Sequence, residues 1–277
     1  MSSMNNIARS TRQAFEGRSV LLTGAASGIG KALALRLVAC GATVHGADMD
    51  PVGLDKLAAE AAAGPGKVVP RQLNVTDRHD YSLWVAECAA AGPIDYLFNN
   101  AGVTLLGEAH KVPFDRWKWL LDINVMGVLN GIMLVYPLMV KQGSGHIIST
   151  GSVAGVTGYA TAAAYTTAKK AVIGMSNSLA AEAEAYGIKV SVVCPGYVNS
   201  NIFTQDRVTG AKVDEVVKDL PAPMMTTEVA ARHYLDGVAS GKQLIIFPAN
   251  AKLLCGLARW LPFTLGPIQK RLMRKFS

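Results

Sequence analysis

The stretch Ser19-Val20-Leu21-Leu22-Thr23-Gly24-Ala25-Ala26-Ser27-Gly28-Ile29-Gly30 decides the fold. Ser19–Thr23 has the composition of a short buried strand. Gly24, Gly28 and Gly30 make a glycine turn, and the periodic run 31–38 after them reads as helix. Strand, glycine turn and helix in this order let a backbone approach a pyrophosphate at the positive end of a helix. An ordinary strand–helix loop shares that outline, so the next strand matters. It covers 42–47 and ends at Asp48, 24 residues after Gly24. A carboxylate there accepts hydrogen bonds from adenosine ribose hydroxyls and repels a 2′-phosphate. Ser27 stands where a phosphate-binding Arg or Lys would otherwise sit. This charge logic favours NAD over NADP.

Outward from this unit the alternation continues. Helices are expected over 51–63, 78–91, 113–141, 162–186 and 226–240. Strands are expected over 68–73, 94–98, 146–149, 189–194 and 243–247, with an irregular stretch at 197–225. Strands alternating with helices predict an α/β fold, a doubly wound parallel sheet covered on both faces.

Composition limits the classes. The 277 residues are 50% hydrophobic, enough for one large α/β domain. No run approaches about 18 consecutive apolar residues, so a membrane-spanning helix is not expected. Residues 1–16 lack the apolar core of a signal peptide and read as a disordered or loosely docked lead-in. Cys40, Cys88, Cys194 and Cys255 form no CxxC, which points to reduced thiols and a cytoplasmic protein. The five histidines show no metal-ligand spacing, so no metal is expected. The net charge of +7 is local: 242–277 holds seven Lys/Arg and no Asp/Glu, leaving twenty of each sign before it. A neutral body with a basic end argues against nucleic acid as partner.

The stretch 149–170, STGSVAGVTGYATAAAYTTAKK, carries the chemistry. Tyr165 and Lys169 share one helix face, one turn apart. Ser152 follows the strand 146–149, at a loop. A phenol has an ordinary pKa of about 10. An ammonium at about 4 Å, at an effective dielectric near 20, supplies about 4 kcal/mol toward lowering it, against desolvation. A Ser hydroxyl facing such a Tyr–Lys pair is a proton-transfer device. Taken singly, Tyr165 reads as a packing residue and Ser152 as a turn hydroxyl.

TGAASGIG, NNAG at 99–102, Asn124, Ser152, YTTAK at 165–169 and PGYVNS at 195–200, in this order, resemble the short-chain dehydrogenase/reductase family over roughly 17–247. The resemblance implies a single-domain Rossmann fold with a seven-stranded sheet and hydride transfer with a nicotinamide cofactor. It implies Tyr165 as general acid/base, Lys169 on the nicotinamide ribose, and Ser152 on the substrate oxygen. Asn124 would hold a water in the relay behind Lys169. Gly24, Ser27, Gly28, Ile29, Gly30 and Asp48 would line pyrophosphate and adenosine. Asn74 and Val75 would meet the adenine, Asn99, Ala101 and Gly102 the adjacent ribose, and Pro195, Gly196, Val198 and Ser200 the carboxamide side. The family often has Asp at the place of Asn74 and Thr at that of Ser200; both substitutes keep a hydrogen-bonding atom.

The expected activity is hydride transfer between NAD(H) and a secondary alcohol or ketone. The alternative is a dinucleotide-bound sensor or scaffold without catalysis, which has no need of a phenol beside an ammonium. Val153, Val156, Tyr159 and Ala160, with Tyr197, Ile202, Phe203, Val208, Met224 and Met225, form an apolar wall. It suits a steroid-, lipid- or aryl-alcohol-like substrate better than a sugar. Arg207 and Lys212 are the cations within reach of it. A homodimer or homotetramer is expected through helices 113–141 and 162–186, with Leu129, Ile132, Val135, Val172 and Met175 at the interface. The domain is expected over 17–248, followed by a basic extension at 249–277. There Leu253, Leu254, Leu257, Trp260 and Leu261 would share one face of a helix over 252–261, and 267–276 would form a second amphipathic helix. The extension reads either as a cover over the substrate entrance or a subunit arm, or as a membrane-surface anchor.

Overall fold

A computed structural model describes residues 7–261 apart from 201, 219 and 221, together with Gly266 and Lys270. The chain runs α1 (Arg9–Phe15), β1 (Ser19–Thr23), α2 (Gly28–Ala39), β2 (Thr43–Asp48), α3 (Pro51–Ala61), β3 (Lys67–Gln72) and α4 (Arg78–Ala91). It continues with β4 (Tyr96–Asn99), α5 (Phe114–Leu121), α6 (Gly127–Gln142), β5 (Gly145–Thr150), α7 (Val153–Thr157) and α8 (Ala163–Ala183). Then come β6 (Ile188–Pro195), α9 (Val213–Lys218), α10 (Thr227–Ala239), β7 (Leu244–Phe247) and α11 (Ala249–Trp260).

The seven strands form one sheet in the order β3-β2-β1-β4-β5-β6-β7. All six pairings are parallel. The expected doubly wound sheet is therefore present. Central strands such as Val20-Leu21-Leu22 are apolar without alternation because both their faces are buried. On one face Leu33, Leu37, Leu57, Tyr234 and Leu235 pack from α2, α3 and α10. On the other, Trp84, Val135, Val172 and Leu179 pack from α4, α6 and α8. The strand order reverses between β1 and β4, which opens a crevice at the carboxyl ends of these strands.

Four expectations change. Part of the lead-in, read as disordered or loosely docked, is the helix α1. Its Phe15 is fully buried against Tyr96, with ring centres 4.9 Å apart, and Thr11 Oγ1 donates to Asp236 Oδ1 at 2.6 Å. One aromatic and one hydroxyl hold a segment whose overall composition is polar.

The single helix expected over 113–141 is interrupted by a π turn, Asp122–Met126, between α5 and α6. The continuous helical stretch Phe114–Gln142 is 29 residues long and passes the length and composition test for a membrane span. Here Val128, Ile132, Val135 and Met139 pack on the sheet. The irregular stretch 197–225 contains α9.

Finally, Ile132, Val135 and Val172, expected at a subunit interface, are buried in this chain's own core. Meeting the sheet satisfies the apolar face of each helix. Leu129 and Met175 are half-buried, and Met126, Met133 and Tyr186 are exposed on that side.

Candidate active site

A cavity of about 680 Å³ opens at the carboxyl ends of β1 and β4. Gly24 and Gly28 have φ of +69° and +54°, in the left-handed region. A Cβ on Gly24 would come within 2.9 Å of Ala101 Cα. The turn therefore admits only glycine there if the crevice is to stay closed at its floor. Ser27 caps α2 by position but its side chain makes no capping bond, which leaves the first helical N–H groups pointing at the cavity for an anion. Asp48 Oδ2 accepts from Ala26 N at 2.9 Å and Oδ1 from Asp50 N at 3.1 Å. Two backbone donors thus fix the carboxylate, and its remaining lone pairs are open to hydroxyls. Asn74 and Val75 line the same end. Val75 is held from behind: Asn130 Nδ2 donates to its carbonyl at 2.9 Å, and a Cβ on Gly127 would lie 2.7 Å from its Cγ2. A glycine turn, a free helix start and an anchored carboxylate along one cleft fit a dinucleotide.

The other end holds Ser152, Tyr165 and Lys169. Ser152 follows β5 and caps α7, its Oγ accepting from Ala154 N at 3.1 Å. α7 lies close on α8 because Gly155 has no side chain; a Cβ there would meet the Lys169 carbonyl carbon at 2.7 Å. The Tyr165 phenol lies close enough to the Ser152 hydroxyl for it to favour the ionised form. Lys169 Nζ donates to the Thr150 carbonyl at 2.8 Å and lies 5.7 Å from the Tyr165 ring centre.

Desolvation pushes the Tyr165 phenol up to about 12, partly offset by the Ser152 hydrogen bond, and burial pushes Lys169 down to about 8. The lowered tyrosine expected from a nearby ammonium is therefore not a property of the protein alone. Burial works against the charged form of both groups, although Lys169 stays protonated at neutral pH, and its ammonium faces Thr150 rather than the phenolic oxygen.

Of the residues expected at the cofactor and the reacting centre, all line this cavity except Asn99 and Asn124. Asn99 is buried on the far side of β4, toward Tyr81 and Gly131. Alternation along the strand sends its neighbour Asn100 to the cleft instead. Asn100 Nδ2 donates to the carbonyls of Thr23 and Gly24 at 3.1 and 3.3 Å, and its Oδ1 accepts from Thr150 Oγ1 at 3.3 Å. It ties β1, β4 and β5 together beneath the crevice.

Asn124 sits in the π turn, fully buried behind Gly102 and Lys169. Its Oδ1 accepts from Val103 N at 2.8 Å and its Nδ2 donates to Val103 O at 2.7 Å. One lone pair and one N–H of the amide are thus taken by Val103, and a second of each is left for the expected relay water.

Val153, Tyr159, Ala160, Tyr197, Ile202, Phe203 and Arg207 line the wide part of the cavity; Val156, Val208, Met224, Met225 and Lys212 do not. Tyr159 and Tyr197 meet edge to face at 6.1 Å.

A family model, short chain dehydrogenase, matches residues 18–209. The chain belongs to the short-chain dehydrogenase family. It is 40% identical over 186 residues to the 3-oxoacyl-[acyl-carrier-protein] reductase FabG of Thermotoga maritima, covering 67% of this chain and 76% of that one. It is 31% identical over 252 residues to the putative oxidoreductase SadH of Mycobacterium tuberculosis, covering 88% of this chain and 91% of the other. A short chain dehydrogenase/reductase from Burkholderia phymatum in complex with NAD superposes with a TM-score of 0.78 at 23% identity, covering 95% and 98% of the two chains. That identity speaks to the fold alone. As a member of this family the chain is an oxidoreductase with a nucleotide-binding Rossmann fold.

Beyond the family motifs, the short-chain dehydrogenase cavity takes residues that sequence reasoning passed over. Asn100 was visible as the second member of the Asn99-Asn100 doublet. Leu106 and Val216 carry no signal beyond being apolar. Asn250, Ala251 and Leu254 bring α11 into the cavity wall. The face of α11 that meets the body is Ala251, Leu254 and Cys255, packed on Val153 and Val156 of α7. The expected face splits: Leu253, Leu257, Trp260 and Leu261 point outward. Small side chains allow the close contact with α7, whereas the large ones do not fit it. The second helix expected over 267–276 lies outside the described residues, apart from Lys270.

Proposed function

We propose that this short-chain dehydrogenase transfers hydride between NAD(H) and a secondary alcohol or the matching ketone, with an apolar or aromatic substrate. One observation carries the reading: a single cavity runs from Asp48 at one end to Ser152, Tyr165 and Lys169 at the other, with Tyr159, Tyr197 and Phe203 around the latter. Gly24, Ser27, Gly28, Ile29 and Gly30 would hold the pyrophosphate, Asp48 the adenosine ribose, and Lys169 the second ribose. Val198 and Ser200 lie beside that end. The nicotinamide, when bound, supplies or accepts the hydride.

The protein's own part is the proton. Tyr165 passes it between its phenolic oxygen and the substrate oxygen, and Ser152 donates a hydrogen bond to that oxygen as charge develops. Lys169, held by the Thr150 carbonyl, would help the phenolate to form only together with the bound cofactor. Asn124, through Val103, holds the loop behind Lys169 in place. Against NADP stands the Asp48 carboxylate. The cations lining the described cavity, Lys169 and Arg207, belong to the substrate end. Four free, buried cysteines suit a cytoplasmic setting.

A panel of apolar, aromatic and sugar alcohols, each with NAD and with NADP, tests the proposal through the ultraviolet absorbance of reduced nicotinamide. Turnover of apolar or aryl alcohols with NAD supports it. Tight NAD binding with no turnover of any alcohol or ketone would instead support the sensor reading.

A further inference from the structure

The helix α11 has two apolar faces. Ala251 and Cys255 pack on α7, and Leu254 lines the cavity. Leu253, Leu257 and Trp260 point away from the body, 66%, 40% and 77% exposed. Their spacing of i, i+4 and i+7 makes them one stripe along the helix. Lys252 and Arg259 are exposed on the same helix. The Arg259 guanidinium lies 5.7 Å from the centre of the Trp260 ring.

Charge decides what this stripe suits. Residues 242–277 hold seven Lys/Arg and no Asp/Glu. A second copy seated on the same stripe across a two-fold axis would set Lys252 and Arg259 against their own counterparts, a like-charge contact. A bilayer with anionic headgroups meets both properties at once: the acyl boundary takes Leu and Trp, and the surface potential attracts Lys and Arg.

We propose that the outer face of α11 seats this protein on anionic lipid surfaces, assisted by Lys252 and Arg259 on the same helix and by the basic sequence that follows it. The helix lies in the plane of the interface, with Leu253, Leu257 and Trp260 toward the lipid. Its inner face stays on the cavity wall, so the cavity lies about 10 Å, one helix diameter, from the membrane. An apolar substrate dissolved in lipid then reaches the cavity with little passage through water. The surface binding itself does not depend on which reaction the cavity performs.

Sedimentation with vesicles tests this directly, without any turnover. The full chain is mixed with phosphatidylcholine vesicles, or with vesicles containing phosphatidylserine, at low and high salt. The variant Leu253→Gln/Leu257→Gln/Trp260→Gln is run beside it, with light scattering on both proteins. The expected result is at least a tenfold preference for the phosphatidylserine vesicles, weakened by salt and reduced at least fivefold in the variant, with both proteins equal in mass. Equal sedimentation of wild type and variant overturns the role of α11. Absence of sedimentation at low salt overturns the proposal outright. A variant that falls to a smaller mass shows that the stripe is covered by another copy of the chain, which also overturns it.

Discussion

Asn124 and Val103 are joined by a reciprocal pair of hydrogen bonds, the amide of one closing on the peptide groups of the other at 2.8 and 2.7 Å. The pair locks the π turn to the loop that leaves β4, directly behind Lys169. Asn124→Ala leaves the Val103 N–H and C=O without partners, and each such buried group costs about 1–3 kcal/mol. Urea unfolding is expected to show a loss in that range or above. Asn124→Asp keeps one acceptor but sets a second oxygen against the Val103 carbonyl in a fully buried place, and is expected to lose at least as much. An unchanged midpoint for Asn124→Ala would remove the locking role.

Tyr165→Phe keeps the ring and loses the proton carrier. Turnover is expected to fall by about 10²–10⁴, the worth of positioned proton transfer, with the NAD dissociation constant within a few-fold of wild type. Lys169→Ala is expected to lose both turnover and NAD affinity. Retention of more than about a tenth of the wild-type rate by Tyr165→Phe would end the acid/base assignment.

Asp48 and Ser27 are expected to set the choice of dinucleotide. Asp48→Ala with Ser27→Arg removes a repulsive carboxylate and adds a bidentate phosphate partner. The ratio of kcat/KM for NADP over NAD should rise in the double variant. A wild-type enzyme that already prefers NADP contradicts the reading of Asp48.

His146 makes the protein acid-sensitive. Ser191 Oγ donates to Lys242 O at 2.7 Å, so at 2.8 Å from His146 Nε2 it accepts, and the ring is neutral with its proton on Nε2. Burial, and then the Lys189 charge, lower the His146 pKa from 6.5 to about 4. A lowered folded-state pKa means that the unfolded chain binds the proton first. Stability from this group is complete above pH 6.5 and is lost as pH falls through 4. The loss amounts to at most about 3 kcal/mol. Urea midpoints at pH 7.5 and pH 4.5 are expected to differ more in wild type than in His146→Gln. Equal differences would show that other groups govern the acid limb.

A homo-oligomer through the α6 and α8 side is expected, now with Met133 and Met126 rather than Ile132, Val135 and Val172 in contact. Light scattering at micromolar concentration checks it. A mass near the chain's own 29.2 kDa refutes it.

Much of the fold was legible because its signals are periodic. The β1–turn–α2 unit and the strand–helix alternation announce themselves and imply parallel strands, whereas the order of the strands is not written in that alternation. The proposed reacting group could be picked out because Tyr165 and Lys169 are one turn apart on a helix that starts after Ser152, and all three line one cavity. Other features left no mark in composition. The π turn shifts hydrogen bonds by one residue without any special side chain to signal it. Asn99 and Asn100 are identical letters, and only the strand's phase tells which meets the cleft. α11 is apolar on two sides, so periodicity alone grouped the larger residues on one face, whereas packing turns Ala251, Leu254 and Cys255 to the body. The raised Tyr165 and lowered Lys169 depend on burial, which a spacing of four residues does not report.

The segment between Val198 and Met225 is pinned at its base, where these two residues pair and Met225 N donates to Tyr197 O at 3.0 Å. At its far side Leu106 bridges Val208. No strand of the sheet passes through it, yet it supplies Ile202, Phe203, Arg207 and Val216 to the cavity wall. A loop whose ends are already held together pays only logarithmically for added length, about 0.6 kcal/mol per doubling. This portion of the chain can therefore lengthen, shorten or be replaced in evolution while the sheet and the Tyr165 neighbourhood stay as they are. On the proposed reading, substrate range would lie in a replaceable cassette and the chemistry in the frame.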